Sequence, residues 1–368
     1  WWEKEFKIEK FFARPEVFKN LADNLSGRQV VILTGLRRVG KTTLMKQMVD
    51  YLINEKKVDP RLIFYASLDD YLLADKNLME IIEAYRKIHK LSFSKKVFLF
   101  LDEITYQKNF AIQLKNIYDQ QNAKLYVSSS SASILKNKKS FLTGRNIVIE
   151  ALPLDFEEYM RFKQITIKKA DQHLLESYFE DFMKIGGLPE YVITGDIEYL
   201  KELVDDIIQK DIAAFYRVKD AQVLKDFFLL LMERAGKVVS INKIAKILSI
   251  SPDSAKRYLK MFADSYLIFL VPRHGKTNER LLSAKKIYAA DLGIRSYFTG
   301  FRDKGSLFEN YVYLKIKKFN PSYIYEKENE IDFFTGGQTL IEVKYNSEMS
   351  KNQAELFNRF KAKEKILN

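Results

Sequence analysis

Gly35-Leu36-Arg37-Arg38-Val39-Gly40-Lys41-Thr42 fits the spacing G-x-x-x-x-G-K-[ST] without a mismatch. It lies between an apolar run, Val30–Thr34, that reads as a buried strand, and a segment from Lys41 to Asn54 that reads as a helix. In that setting the glycines let backbone N–H groups curl around the β- and γ-phosphates of a nucleotide. Lys41 neutralises their charge, Thr42 ligates Mg²⁺, and the helix N-terminus adds its partial positive charge. Gly35, Leu36, Arg37, Arg38, Val39, Gly40, Lys41, Thr42 and Thr43 are thus the expected cradle for ATP. The rival is a plain glycine turn carrying a surface lysine.

Outward from the loop, strands and helices alternate: Leu62–Ser67, a helix near Leu78–Leu91, Val97–Leu101, a helix near Asn109–Gln121, then Lys124–Ser128. Short apolar strands with helices between them predict an α/β fold with a parallel sheet, the core of a P-loop NTPase. Val97–Leu101 ends in Asp102-Glu103, at the strand end where open α/β sheets gather their ligands. Asp102 is expected to hold the Mg²⁺ shell, and Glu103 to orient and deprotonate the attacking water. Without the loop, the pair would read as a solvated turn. The next strand ends in Ser128-Ser129-Ser130-Ser131, where a hydroxyl, Ser128 first among them, either senses the γ-phosphate or caps a helix. Arg145 is the candidate sensing or trans-acting arginine, with a surface salt bridge as its rival.

Composition narrows the classes. The 368 residues are 47% hydrophobic and 14% aromatic, enough for two or three folded domains. There is no cysteine and there are three histidines, which removes disulfide scaffolds, cysteine-based metal sites and Cys nucleophiles and argues against His-based chemistry. No signal peptide and no apolar run of about 18–20 residues is seen, so no membrane association is expected, and a cytoplasmic location is. The net charge is +13. Residues 231–290 hold 12 Lys or Arg against 4 Asp or Glu, which concentrates any polyanion contact there.

Arg14-Pro15-Glu16, the phosphate loop, Leu101-Asp102-Glu103-Ile104, the serine run, Leu142-Thr143-Gly144-Arg145, Leu152-Pro153-Leu154-Asp155-Phe156-Glu157-Glu158-Tyr159 and Gly186-Gly187-Leu188-Pro189-Glu190-Tyr191 occur in this order. Together they resemble prokaryotic AAA-superfamily P-loop ATPases that carry a C-terminal winged-helix and restriction-endonuclease-like region. The resemblance covers almost the whole chain. It departs at the strand end, usually Gly-Ser-Ser in that family, so no single serine can be assigned the sensing role.

Ile241, Ile244, Ala245 and Leu248 share one helix face, and Ser251-Pro252-Asp253 is a helix start. The second helix turns Ala255, Tyr258, Leu259 and Phe262 inward, leaving Lys256, Arg257 and Lys260 outward. With Arg273 and Lys276 in a following wing, this is the pattern of a DNA-reading helix-turn-helix. A basic helix in a packing module is the alternative. Further on, Glu330-Ile331-Asp332 and Glu342-Val343-Lys344 lie on consecutive strands joined at Gly336-Gly337. The spacing D-x9-E-x-K is that of metal-dependent nucleases: Asp332 and Glu342 would bind Mg²⁺, with Glu309 on a preceding helix, and Lys344 would stabilise charge at a phosphodiester. A surface ion pair gives the same short pattern.

The expected organisation is an ATPase core over 1–155, a helical extension over 156–220, a winged helix over 221–290 and a small nuclease-like α/β domain over 291–368. Two functions compete. In one, ATP controls a DNA nuclease; in the other, a nucleotide-dependent switch or scaffold grips DNA or protein without cutting. A signalling ATPase without a nucleic-acid partner is a third. A homo-oligomer would be required for a trans arginine; a monomer is equally compatible with the sequence.

Overall fold

The computed structural model describes residues 13–73, 76–131 and 144–367. The chain divides into two compact units, Trp1–Leu152 and Pro153–Asn368.

The first unit is built on five strands, β1 (Val30–Thr34), β2 (Ile63–Ser67), β3 (Val97–Asp102), β4 (Ala123–Ser129) and β5 (Asn146–Glu150). They form one all-parallel sheet in the order β2-β3-β4-β1-β5. The three central strands are buried at every position, while β2 and β5 at the edges are only partly so. This is why β1, β3 and β4 read as unbroken apolar runs: helices cover both faces. Leu99, Leu101, Leu125 and Val127 pack with Leu78, Ile82, Leu114 and Ile117 from the helices Leu78–Ile88 and Phe110–Gln120. The register sets Thr34 beside Ser129 and Glu150, and Ser67 beside Asp102. The polar C-terminal ends of β1, β3 and β4 therefore meet at one edge of the sheet.

The second unit starts with helices. Asp155 caps Phe156–Phe162 through a reciprocal capping box with Glu158. Gly186-Gly187 follow the helix Leu175–Ile185 because backbones close in here. A Cβ on Gly187 would lie 2.1 Å from the Leu154 carbonyl oxygen, and Gly187 N–H donates to the buried Asp291 carboxylate.

Next come the helix Ala221–Met232, the short strand β6 (Val238–Val239), the helices Ile241–Ile247 and Pro252–Asp264, and strands β7 (Ile268–Val271) and β8 (Lys285–Ala289). The three strands pair antiparallel in the order β6-β8-β7. Ser251 caps the second helix as expected, accepting from Ser254 N–H at 3.0 Å.

The chain ends in a four-stranded sheet, order β12-β11-β10-β9, of β9 (Ser322–Glu326), β10 (Asn329–Phe334), β11 (Thr339–Glu342) and β12 (Glu364–Leu367). The helix Lys351–Arg359 crosses between the parallel pair β11 and β12, burying Leu356 and Phe357 on Ile324, Ile331 and Leu340.

Elements on either side of residues 220 and 290 pack together. The helix Leu292–Thr299 packs on both Leu175–Ile185 and Ala221–Met232. The Asn310 side-chain amide pairs with both backbone groups of Ala289, at 2.8 and 2.9 Å. Residues 153–368 fold as one body.

Candidate nucleotide site and a charged C-terminal cluster

Gly35 leaves β1 with φ of 141°, and a Cβ there would lie 2.2 Å from the Ala151 carbonyl oxygen. Only glycine permits this approach of the loop to the chain leaving β5. Lys41 opens the helix Lys41–Asn54; its buried ammonium donates to the carbonyl oxygens of Gly35 at 3.1 Å and Leu36 at 2.9 Å. Arg14 fixes the other side of the loop. Its guanidinium, 5% exposed, donates to Val39 O at 3.1 Å and Leu152 O at 2.9 Å. The sequence marks Arg14 only as part of the Arg14-Pro15-Glu16 motif, a signal that names no partner.

Asp102 ends β3 fully buried. Its Oδ2 accepts from Thr42 Oγ1 at 2.6 Å and from the Tyr65 hydroxyl at 2.9 Å, and its Oδ1 from Ser128 Oγ. Burial, with the Asp102 charge beside it, pushes the Tyr65 phenol well up, so Tyr65 remains a donor. Glu103 turns into left-handed backbone with φ of 51°. Its N–H donates to Ser128 Oγ at 2.9 Å, and its carboxylate accepts from Ser130 N–H at 3.2 Å and Ser130 Oγ at 2.5 Å.

The serine run thus divides its work. Ser128 bonds to Asp102 and to the Glu103 N–H, and Ser130 holds the Glu103 carboxylate. Tyr65 was missed because nothing local to β2 points to Asp102. The hydroxyl of Thr42 and the carboxylate of Asp102 supply the hard oxygen donors that Mg²⁺ takes, and with the loop amides and Lys41 they suit a nucleotide's phosphates.

Arg145 is not at this site. It precedes β5, and its carbonyl accepts from Val30 N–H, at the start of β1. The loop leaves the other end, roughly 15 Å along the strand. The guanidinium lies 3.7 Å from Asp119 and over the Tyr118 ring. The salt-bridge alternative is the arrangement found, away from the loop end of the sheet. Leu142 and Thr143 of that motif lie outside the described residues.

In the second unit Lys256, Arg257 and Lys260 are exposed on Pro252–Asp264, while Ala255, Tyr258, Leu259 and Phe262 are buried, as expected. Lys276 is also exposed, ahead of a short helix, Thr277–Leu282, in the segment read as a wing. Arg273, just after β7, donates to Tyr325 O of β9 and lies over the Tyr325 ring.

The C-terminal acidic residues do converge. Asp332 N–H donates to Glu342 Oε2 at 3.2 Å, and Val343 N–H to Asp332 Oδ2 at 3.0 Å. Glu342 Oε1 meets Lys344 Nζ and Gln353 Nε2, each at 2.6 Å. At the centre, however, stands a residue the sequence did not single out. Lys286 of β8, 1% exposed, sets its Nζ 2.6 Å from Glu309 Oε1, 2.6 Å from Glu330 Oε1 and 2.9 Å from Asp332 Oδ1.

Burial alone would lower the Lys286 pKa. The carboxylates, Glu309 foremost, together with Tyr288 outweigh it and hold the ammonium well above the usual lysine range. Burial pushes Glu309 up to about 7 against the pull of Lys286. Glu342 is likewise pushed up to about 7 by burial and by the nearby Asp332 charge. Among the described residues no three His, Cys, Asp or Glu side chains are placed to share a metal ion. The expectation of Glu309, Asp332 and Glu342 as one set of metal ligands does not match this arrangement: Glu309 and Asp332 meet on the Lys286 ammonium, while Glu342 Oε1 is paired with Lys344 and Gln353.

Comparison with known proteins agrees with the first unit. Residues 27–160 match the family model of the AAA domain, and residues 176–305 match a domain of unknown function, DUF8612. Two uncharacterized proteins of Methanocaldococcus jannaschii are similar over most of their length: one is 28% identical over 92% of this chain and 79% of its own, the other 27% over 92% and 80%. A Walker-type ATPase of Pyrococcus abyssi superposes on 80% of this chain and 99% of its own, with 14% identity and a TM-score of 0.47. No described helix is long and apolar enough to cross a membrane. The parallel sheet, the loop and the family match agree: residues 27–160 have the P-loop fold and are similar to the AAA domain.

Proposed function

We propose that the chain binds ATP with Mg²⁺ at Gly35–Thr43 and hydrolyses it, and that it acts on DNA through its basic second unit without cutting the strand. The observation that carries the first part is the meeting of Thr42, Asp102, Glu103, Ser128 and Ser130 at the loop end of the sheet. Lys41 and the loop amides bind and orient the phosphates. Bound Mg²⁺ would offset phosphate charge, with Thr42 and Asp102 to hold it. Glu103 takes a proton from water as the water oxygen bonds to the γ-phosphorus. The bond from that phosphorus to the β–γ bridging oxygen breaks, giving ADP and phosphate. Ser130 keeps the Glu103 carboxylate in place, and Ser128 keeps Asp102.

For the second part, Lys256, Arg257 and Lys260 form an exposed basic row on a capped helix that follows a second helix, with three short strands around them. That order is the one expected of a winged helix, and this face suits phosphate contacts. Lys286 among the nuclease-like carboxylates favours gripping over cleavage.

The test uses purified full-length protein with ATP, Mg²⁺ and labelled duplex, single-stranded and branched DNA. Phosphate release that Lys41→Ala abolishes supports the ATPase, and release that survives this change overturns it. Salt-dependent DNA binding, weakened by replacing Lys256, Arg257 and Lys260 with Ala, supports the grip. Strand cleavage lost in Lys344→Ala would return the nuclease reading.

A further inference from the structure

The D-x9-E-x-K spacing is complete and Asp332 N–H reaches Glu342 across the β10–β11 pair, yet the point where Asp332 meets Glu309 and Glu330 is filled from outside the motif. Lys286 comes from β8, while Asp332 and Glu330 come from β10 and Glu309 from the helix Lys304–Ile316. An ammonium has three N–H donors and no acceptor. Three carboxylate oxygens surround Lys286 Nζ at 2.6 to 2.9 Å, so each donor has a charged partner. Tyr288, two residues along β8, donates to the same Glu309 oxygen at 2.5 Å.

The remaining motif residues are also paired: Glu342 with Lys344 and Gln353, and Asp332 with the Val343 amide. A cation could take the Glu309–Glu330–Asp332 oxygens only by displacing Lys286. That lysine is buried within a folded strand, hydrogen-bonded on one side to β6 and on the other to β7.

We propose that Lys286 is a built-in cation standing where Glu309, Glu330 and Asp332 would otherwise gather a divalent metal. Through it, Glu309, Glu330 and Asp332 clasp the three-stranded sheet and the Lys304–Ile316 helix onto the C-terminal sheet. The cluster's work is to hold these elements together and not to activate water. The clasp spans 44 and 46 residues from Lys286 to Glu330 and Asp332, joining β8 to β10. This deepens the non-cleaving reading above and is independent of ATP turnover.

The experiment counts bound Mn²⁺ by electron paramagnetic resonance on the full chain. An Asp102→Ala background removes the nucleotide-side carboxylate. With Lys286 intact the clasp predicts no tightly bound Mn²⁺, and the same melting temperature in Mn²⁺ as in EDTA. Changing Lys286 to Ala should lower that temperature and create one Mn²⁺ site, with Mn²⁺ restoring part of the loss.

A tight Mn²⁺ in the intact chain that disappears with Asp332→Asn overturns the proposal. So does a folded Lys286→Ala protein that melts unchanged and gains no site. If Lys286→Ala fails to fold, the Mn²⁺ count on the intact chain still decides. The two readings also fail separately. Bound Mn²⁺ without strand cleavage breaks the clasp and spares the grip, whereas no Mn²⁺ and no DNA binding breaks the grip and spares the clasp.

Discussion

The chain carries two clusters of acidic side chains, one at the end of β3 and one gathered from β10, β11 and the Lys304–Ile316 helix, and they are completed in opposite ways. Asp102 and Glu103 are held by neutral groups: the hydroxyls of Thr42, Tyr65, Ser128 and Ser130, and backbone N–H groups. Glu309, Glu330, Asp332 and Glu342 are held by two ammonium groups, Lys286 and Lys344, and by Gln353. Hydroxyls satisfy the lone pairs of a carboxylate and leave its charge in place, so the first cluster still attracts a cation and can still accept a proton. Lysines fill lone pairs and offset charge at once: Lys286 and Lys344 offset two of the four carboxylates, and Lys286 occupies the point where three of them meet, so a metal there would have to displace it. What separates a reactive acidic site from a structural one here is the charge of its partners, not the number of carboxylates.

The largest effect should come from removing charge where it is left uncompensated. Glu103→Gln keeps size and one acceptor but cannot take the proton, so ATP turnover should fall by about 10²–10⁴-fold while nucleotide binding persists. A phosphate-release assay beside a nucleotide-binding titration separates the two effects. If turnover stays near wild type, the first cluster is as inert as the second, and the contrast disappears.

Next in size is the reciprocal change. Lys286→Met preserves length and removes the ammonium, stranding three carboxylates around an apolar group. Breaking a buried ion pair in this way costs about 3–5 kcal/mol, read as a lower urea midpoint. Adding Glu330→Gln should return part of the loss, since one stranded charge goes; a further loss would mean that Glu330 acts other than as a counter-ion to Lys286.

The two clusters also differed in how far the sequence disclosed them. The phosphate loop was legible to the residue because its chemistry is local: eight positions fix the turn, and the flanking strand and helix follow from apolar spacing. Asp102 and Glu103 were legible because a strand buried on both faces must end somewhere, and the acids mark that end. Their hydroxyl partners were not, since Tyr65 and Ser130 lie 37 and 27 residues from the acids they touch.

In the second unit Asp332 and Glu342 could be matched from the turn between their strands, but β9 and β12 were missed. β12 is fully exposed and has no apolar alternation to reveal it. Lys286 was read as one more charge in a basic segment. Its burial is decided by three elements that close around it, and no window of sequence contains them. The place of Arg145 was not legible for the related reason that motif order along the chain does not tell which end of a strand a residue occupies.

A third buried carboxylate, Asp291, has neither hydroxyls nor ammonium. It accepts from the backbone N–H groups of Gly187 at 2.7 Å and Ile294 at 2.9 Å. Burial wins over these bonds and pushes it up to about 6. Because the folded-state value lies above the unfolded one, near 3.9, its contribution is whole below about pH 4 and lost as pH rises through 6. The loss is about 3 kcal/mol. Asp291→Asn should flatten the pH dependence of stability between 4 and 6, measured by urea unfolding. An unchanged slope would show that backbone amides alone keep this carboxylate ionised as easily as water does.

The smallest effect tests the neutral cluster at its back. Ser128→Ala removes the hydroxyl that donates to Asp102 Oδ1 and accepts from the Glu103 N–H. A buried group left without a partner costs about 1–3 kcal/mol, so the variant should unfold at lower urea. If the hydroxyls only position the acids and Mg²⁺ is drawn by the charge they leave, added Mg²⁺ and ATP should recover much of that stability, because the freed charge favours the cation. Ser128→Ala should then keep a measurable turnover with a raised KM, unlike Glu103→Gln. A variant that Mg²⁺ and ATP do not stabilise would place Ser128 among the groups that hold the cation, and the division between neutral support and charged chemistry would have to be redrawn.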